Sequence, residues 1–109
     1  MKYRLIIQPP AFADLDEACA WLAERSPAAA AHWLEGLLDA IHTLESNPER
    51  CALAPENDYV GYEIRQFLYR RRRTVYRVLF TIQGGAVRIL HVRHAARQFL
   101  APDEFPDEP

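Results

Sequence analysis

Hydrophobic periodicity at the start of the chain predicts a strand followed by a helix. Residues 3–8 alternate weakly between apolar and polar positions and carry β-branched and aromatic side chains, which is typical of a short strand. Pro9 and Pro10 end this strand and suit the first turn of a helix. An apolar residue then recurs at every third or fourth position, which predicts an amphipathic helix over about residues 11–25. The members of this stripe are Phe12, Leu15, Cys19 and Leu22.

A second helix is predicted directly after the first. Ser26 followed by Pro27 combines a capping hydroxyl with a proline at the first helical position. The apolar face of this helix comprises Ala30, Trp33, Leu37, Ala40, Ile41 and Leu44. Because the connection is so short, we expect an antiparallel helical hairpin whose apolar stripes require another surface to cover them.

The second half of the chain has the pattern of a β-sheet. Residues 49–62 show no sustained period and contain turn-forming residues, so we expect a loop there. Three β-like runs follow, over about residues 63–69, 73–83 and 86–93. Gly84 and Gly85 predict a tight hairpin between the last two runs, because both positions of a two-residue turn of this kind require positive φ.

The middle run also predicts which side of the sheet is buried. Period two places four apolar residues on one of its faces: Tyr76, Val78, Phe80 and Ile82. We expect the helical hairpin to cover this face, which leaves Arg77 on the opposite, open side of the sheet. The pattern therefore predicts one α+β domain over residues 1–97, followed by an acidic, proline-rich tail over residues 98–109 that we expect to be largely disordered.

Length and composition narrow the class of protein. With 109 residues, of which half are hydrophobic, the chain suits one compact domain. The longest early apolar run is Leu5–Ile7, which is far too short for a signal peptide or a membrane span. We therefore expect a soluble, cytoplasmic protein without a membrane partner.

Charge is strongly segregated along the chain. Nine of the 13 Lys and Arg residues lie within residues 65–97, and none of the 15 Asp and Glu residues does. A concentrated cationic surface usually meets phosphate or acidic protein. Guanidinium groups beside Tyr69 and Tyr76 would suit phosphate recognition, with the arginines donating to phosphate oxygens and the aromatic rings stacking on bases. The run Arg70–Arg73 also fits a solvated turn between two strands. Arg65 and Arg77 are stronger candidates, because an arginine inside a packed strand must pair or face a functional surface.

Two histidines near this cationic stretch are the groups that could exchange a proton near neutral pH. His91 and His94 are three residues apart, so on a regular strand they point to opposite faces and cannot chelate one ion. We therefore predict no metal site and no cofactor. His94, at the end of the strand, is the better candidate for a general acid or base.

Several of these segments together resemble a known superfamily. The turn Asn47-Pro48-Glu49-Arg50 follows the predicted hairpin, and the strands EIRQFLY, VYRVLF and VRILHVRHAAR come after it. In this order they resemble the RelE/ParE superfamily of toxins from bacterial type II toxin–antitoxin modules, which includes plasmid stabilisation proteins. The most specific pieces are YRVLF and ILHVRHAAR, which look like the superfamily's central arginine strand and its terminal signature.

The resemblance implies an α+β fold of order β-α-α-β-β-β, with about four antiparallel strands packed on the helical hairpin. It also implies an acidic antitoxin as partner, and growth arrest either by cleavage of messenger RNA on the ribosome or by inhibition of DNA gyrase. In the first branch Arg77 would bind the phosphate and His94 would assist proton transfer. A non-catalytic or degenerate member that binds only its antitoxin or another protein is the alternative, and the oligomeric state stays open. The residues expected to bind phosphate or a partner are Arg65, Tyr69, Tyr76, Arg93 and Arg97.

Overall fold

The computed structural model describes residues 2–109 and contains two helices and four strands. The elements are β1 (Arg4–Ile7), α1 (Pro9–Arg25), α2 (Pro27–His42), β2 (Arg65–Arg71), β3 (Thr74–Gln83) and β4 (Ala86–His94). Short 3-10 turns occur at Thr43–Glu45, Pro48–Arg50, Pro55–Tyr59 and Pro102–Glu104. The α+β fold and the order β-α-α-β-β-β predicted from the sequence are confirmed.

One serine connects the two helices of the hairpin. The Ser26 N–H donates to the Leu22 carbonyl and closes α1, while its side-chain oxygen accepts from the Ala29 N–H at 3.2 Å and caps α2. A single residue thus satisfies groups at both helix ends, which are otherwise left without partners. This arrangement makes the connection as short as the sequence predicted.

The four strands form one mixed sheet in the order β1-β4-β3-β2. β2, β3 and β4 pair antiparallel, whereas β1 runs parallel to β4. The predicted all-antiparallel sheet is therefore wrong for its first strand. Gly84 and Gly85 have φ of 59° and 74°, so the predicted tight turn between β3 and β4 is confirmed.

The helical hairpin covers one face of the sheet, as the sequence predicted. The first core joins the helices to the inner face of β3 and β4, and its fully buried members include Leu37, Val78, Phe80 and Ile89. Trp33 of α2 packs edge-on against Tyr76 of β3, with 4.9 Å between ring centroids. The face assigned to the core from period two is thus the one that packs against the helices.

The opposite face of the sheet is also buried, which the sequence analysis did not predict. A second core joins Leu79 and Leu90 of the sheet to Ile64, Leu100 and Phe105. Leu100 is 1% and Phe105 6% exposed, so the tail expected to be disordered instead packs on the sheet. The physical reason is that this face carries its own leucines, whose burial against the tail removes apolar surface from water.

A bulge in β4 changes the direction of its side chains. Leu79 pairs with His91 and Phe80 with Ile89, so Leu90 has no partner opposite it on β3. Leu90 and His91 consequently both contact the segments that cover the outer face. Within residues 2–109, neither helix has the length and apolarity that crossing a bilayer requires.

Candidate functional site

Arg77 is buried in an ion pair and does not lie on an open surface. Its Nη1 and Nη2 donate to the two carboxylate oxygens of Glu56 at 2.9 and 2.5 Å, and its Nε donates to Gln66 Oε1 at 2.9 Å. Arg77 is 5% and Glu56 0% exposed. The expectation of an open sheet face around Arg77 is wrong, because the loop before β2 and the C-terminal tail cover that face.

Glu56 also connects the tail to this ion pair. The Leu100 N–H donates to Glu56 Oε2 at 3.1 Å, so the carboxylate accepts three hydrogen bonds, two of them from Arg77. Burial tends to raise the pKa of Glu56, but the bonds from Arg77 and from the Leu100 N–H outweigh it and lower the pKa below its usual value. Glu56 is therefore a fixed anion that neutralises Arg77.

Arg65 is likewise held by the protein. Its Nη1 donates to the carbonyl oxygens of Cys51 at 2.6 Å and Glu49 at 3.2 Å, and its Nη2 donates to Glu63 at 2.9 Å. These contacts fasten the loop before β2 to the start of that strand. In this conformation the guanidinium serves the loop and is not directed at a ligand.

Arg93 and His91 hold the other end of the tail. Arg93 bridges two carboxylates, Asp14 at 3.3 Å and Glu104 at 3.2 Å. His91 has Asp14 Oδ2 2.8 Å from Nδ1 and the Glu104 carbonyl 2.7 Å from Nε2, and its ring meets Phe105 edge-on. Asp14 also accepts from the Val92 N–H at 2.9 Å, beyond the point where β1 stops pairing with β4.

Three of the predicted residues do come together, at the opposite face of β4. Tyr76, His94 and Arg97 line a cavity of about 240 Å³ that α1 completes with Asp14 and Trp21. The Tyr76 and His94 rings meet edge-on, with 5.2 Å between centroids. Burial raises the pKa of Tyr76, with a smaller contribution from nearby Cys19. We call this space the His94 cavity.

The polar groups of the His94 cavity differ in the hydrogen-bond and ion-pair partners that the protein gives them. His94 Nδ1 accepts from the Ala96 N–H at 3.0 Å, which leaves Nε2 as the nitrogen that can exchange a proton with a ligand. Arg97 is exposed, and no carboxylate of residues 2–109 forms an ion pair with it. The cavity therefore offers an arginine and an imidazole beside the carboxylates of Asp14 and Glu17, but Arg77 is not part of it.

Tyr69 lies elsewhere, against the second helix. A Cβ at Gly36 of α2 would overlap the Tyr69 hydroxyl and come within 3.0 Å of Arg71 Nη1, so only glycine allows this approach. Arg71 Nη1 also donates to the His32 carbonyl at 3.3 Å. The predicted residues thus form three separate groups: the ion pairs of Arg65, Arg77 and Arg93, the His94 cavity, and the contact of Tyr69 in β2 with α2.

Several carboxylates that organise these groups could not be identified from the sequence. Glu56, Asp14 and Glu104 partner the predicted cations, but each lies far along the chain from at least one residue it contacts. No local signal marked Glu56, because the loop over residues 49–62 also carries Glu49, Arg50, Asn57 and Asp58. No group of three or more His, Cys, Asp and Glu in residues 2–109 is placed to hold a metal ion.

The fold and these surfaces define a small α+β protein whose accessible cations are mostly arginines. The family model for the ParE toxin of the type II toxin–antitoxin system, parDE, matches residues 5–99, so the chain belongs to this family and the predicted superfamily resemblance is confirmed. Among solved structures, the chain is similar to one from the chromosomal ParDE toxin–antitoxin system of P. aeruginosa. That match has a TM-score of 0.67 at 19% identity and covers 85% of this chain and 96% of the other. A comparison with curated proteins found no match.

Proposed function

We propose that this ParE-family toxin arrests growth by binding DNA gyrase and not by cleaving messenger RNA. Family membership supports a toxin of a type II toxin–antitoxin module. Both mechanisms are known among relatives in the RelE/ParE superfamily, so the choice between them rests on the arrangement of side chains in this chain.

The observation that carries the proposal is the separation of Arg77 from His94. RNA cleavage by attack of a 2′-hydroxyl needs a cation on the phosphate and a proton-transfer group that reach the same phosphodiester. Arg77 pairs with Arg93 across the sheet, and His94 pairs with Tyr76, the residue before Arg77. Because neighbouring residues on a strand face opposite ways, Arg77 and His94 lie on opposite faces of the sheet.

The state of Arg77 supports the same choice. A guanidinium that stabilises a phosphate must present donors to it, whereas three of the five N–H donors of Arg77 are taken by Glu56 and Gln66 and the residue is only 5% exposed. Freeing them would leave Glu56 as an uncompensated buried charge, which costs about 3–5 kcal/mol. Arg77 thus serves the fold in this proposal, and its predicted catalytic role is not favoured.

One observation favours the rival function. Arg97 and His94 Nε2 share a cavity, so a phosphate seated there would meet an arginine and an imidazole without Arg77. If RNA cleavage occurs, these two residues would carry it, with Arg97 offsetting the developing charge and His94 exchanging the proton.

The proposal includes a cytoplasmic, acidic antitoxin that covers exposed cations. Arg70, Arg72, Arg73 and Arg97 are exposed and lack ion-pair partners among residues 2–109, so an acidic partner would find them available. Charge complementarity of this kind mainly speeds association and weakens with salt. Affinity for the antitoxin that is unchanged between low and high salt would contradict this part of the proposal.

Induction of the chain in bacteria tests the proposed function. We expect growth arrest, relief by co-expression of the neighbouring antitoxin gene, altered supercoiling of a reporter plasmid, and intact messenger RNA. Cleavage of messenger RNA that disappears in His94→Ala and Arg97→Ala would establish the rival instead. Absence of any growth arrest would indicate a degenerate member that only binds its antitoxin.

A further inference from the structure

A second cavity has no part in the proposed action on gyrase, although Arg72 and Arg73 of its rim are among the cations that the antitoxin would cover. It lies between the start of α2 and the turn joining β2 to β3, and its volume is about 560 Å³. Leu22, Ala29 and Trp33 form its apolar side, and Arg71–Arg73 form its cationic rim. We call it the arginine-turn cavity. Its size and its mixture of apolar wall and convergent polar groups are those of a small-molecule site.

One residue that lines this cavity has a buried donor without an acceptor. Trp33 is 5% exposed, and its Nε1 lies behind the cavity surface, shielded from solvent and without a hydrogen-bond partner among residues 2–109. Buried indole N–H groups are normally paired, because a buried donor left unsatisfied costs about 1–3 kcal/mol. A ligand oxygen that reached this nitrogen would remove that cost.

The arginines of the rim are available to an anion. No carboxylate of residues 2–109 pairs with Arg71, Arg72 or Arg73. Arg72 has φ of 55°, a left-handed conformation that residues other than glycine rarely adopt and that is often found at functional sites. The close approach at Gly36 and the bond to the His32 carbonyl hold Arg71 against α2, whereas Arg72 and Arg73 are exposed.

We propose that the arginine-turn cavity binds a phosphate monoester carried on an apolar or planar body, as in a mononucleotide. Three guanidinium groups and an indole N–H supply more charge and more donors than one carboxylate takes up, whereas a phosphate dianion has enough oxygens to accept from all of them. The apolar side would receive the body of the ligand. Movement of the flexible arginine side chains onto the phosphate would give one of its oxygens access to Trp33 Nε1.

The two tryptophans of the chain allow a direct test. Trp33 lines the arginine-turn cavity, whereas Trp21 is 51% exposed on α1 and lines the His94 cavity, so its indole N–H reports separately on any phosphate bound there. We would titrate the ¹⁵N-labelled full chain with adenosine monophosphate at constant ionic strength and follow both indole cross-peaks. We expect saturable movement of the Trp33 cross-peak, a weaker response to inorganic phosphate, and none to adenosine.

Matched variants separate a built site from general attraction between charges. Arg70 belongs to the same run of arginines but does not line the cavity, whereas Arg73 does. Arg73→Gln should weaken binding by about tenfold or more, since a charge-assisted hydrogen bond is lost, and Arg70→Gln should change it less than about twofold. The backbone cross-peaks of each variant report whether it is folded.

Three results would overturn this proposal. The first is a Trp33 cross-peak that does not respond to adenosine monophosphate in the folded wild type. The second is an equal loss of binding in Arg70→Gln and Arg73→Gln, which would indicate a diffuse cationic patch. The third is binding of duplex DNA that lacks terminal phosphates as tightly as adenosine monophosphate. That result would indicate that the site recognises the phosphodiester backbone of nucleic acid and not a phosphate monoester. None of these readouts depends on gyrase or on the antitoxin.

Discussion

Removal of the charge on Glu56 should strongly destabilise the fold. Glu56 is fully buried and accepts two hydrogen bonds from Arg77 and one from the Leu100 N–H. Glu56→Gln keeps the shape of the side chain but leaves the Arg77 guanidinium charged and buried without its counterion. Breaking one partner of such a pair costs about 3–5 kcal/mol, a large share of the total of about 5–15 kcal/mol expected for a domain.

Urea denaturation of the purified protein, followed by tryptophan fluorescence, measures this loss as a change in the free energy of unfolding. Glu63→Gln is the matched control, because Glu63 pairs with Arg65 at the surface with 60% of its side chain exposed. An exposed pair contributes about 0–1 kcal/mol. The double variant Glu56→Met with Arg77→Met should lose less stability than Glu56→Gln, because it leaves no buried charge unpaired.

Equal losses in the free energy of unfolding for Glu56→Gln and Glu63→Gln would refute this reasoning. A loss in Glu56→Gln no larger than that in Glu63→Gln would mean that Arg77 reaches solvent or another partner. The outer face of the sheet would then be open, as the sequence alone suggested, and the case against Arg77 as a phosphate-binding residue would fail.

Three further predictions concern the same folded state. Gly36→Ala should destabilise by up to about 2 kcal/mol, because overlap with the Tyr69 hydroxyl costs about 1–3 kcal/mol and replacement of a helical glycine by alanine returns about 1 kcal/mol, whereas Gly61→Ala, which meets nothing within 4 Å, should be nearly neutral in the same urea assay. Phe105→Ala should cost about 3 kcal/mol and increase binding of a hydrophobic dye, while Phe99→Ala, 61% exposed, should change stability by less than about 0.5 kcal/mol. The pKa of Glu56 is lowered in the fold, so the stability that its charge contributes is complete above the usual pKa of 4.5 and is lost as the pH falls below that value. Acid should therefore lower the free energy of unfolding of the wild type more steeply than that of Glu56→Gln. Equal dependence of the two proteins on pH would contradict this.

The helices, the strands and one buried face of the sheet could be predicted because their signals are local. Ser26 and Pro27 specify the junction of the helices within two residues, and Gly84 and Gly85 specify the hairpin in the same way. Period two along β3 then identified the face that meets the helices. Each of these inferences needs only residues that are close together in the chain.

The burial of the outer face could not be predicted because its cover has no periodic pattern. Glu56 lies 21 residues before Arg77, and Leu100 lies 44 residues after Glu56, so nothing local links the three. Prolines and acids made the tail resemble a disordered segment, although only Leu100 and Phe105 needed to be apolar for it to pack. Leu79, on the face assigned to solvent, was the available sign that this face required a cover.

The candidate site was predictable only in part for the same reason. His94 and Arg97 are close in sequence, and pairing of β3 with β4 brings Tyr76 to them. The carboxylate of Asp14 reaches the same region from α1, 77 residues before His91, and a helical pattern marks it only as a polar position. Tertiary packing, and not local sequence, therefore determines which cations are neutralised and which stay accessible.

A supercoiling assay with purified DNA gyrase tests the central claim most directly. Addition of the purified full-length chain should inhibit supercoiling of relaxed plasmid in a dose-dependent way, and a molar excess of the antitoxin should restore it. Arg77→Met paired with Glu56→Met should inhibit as well as the wild type if it is folded, because the account gives Arg77 a structural role. Full gyrase activity at saturating toxin, together with cleavage of messenger RNA on purified ribosomes, would contradict the account.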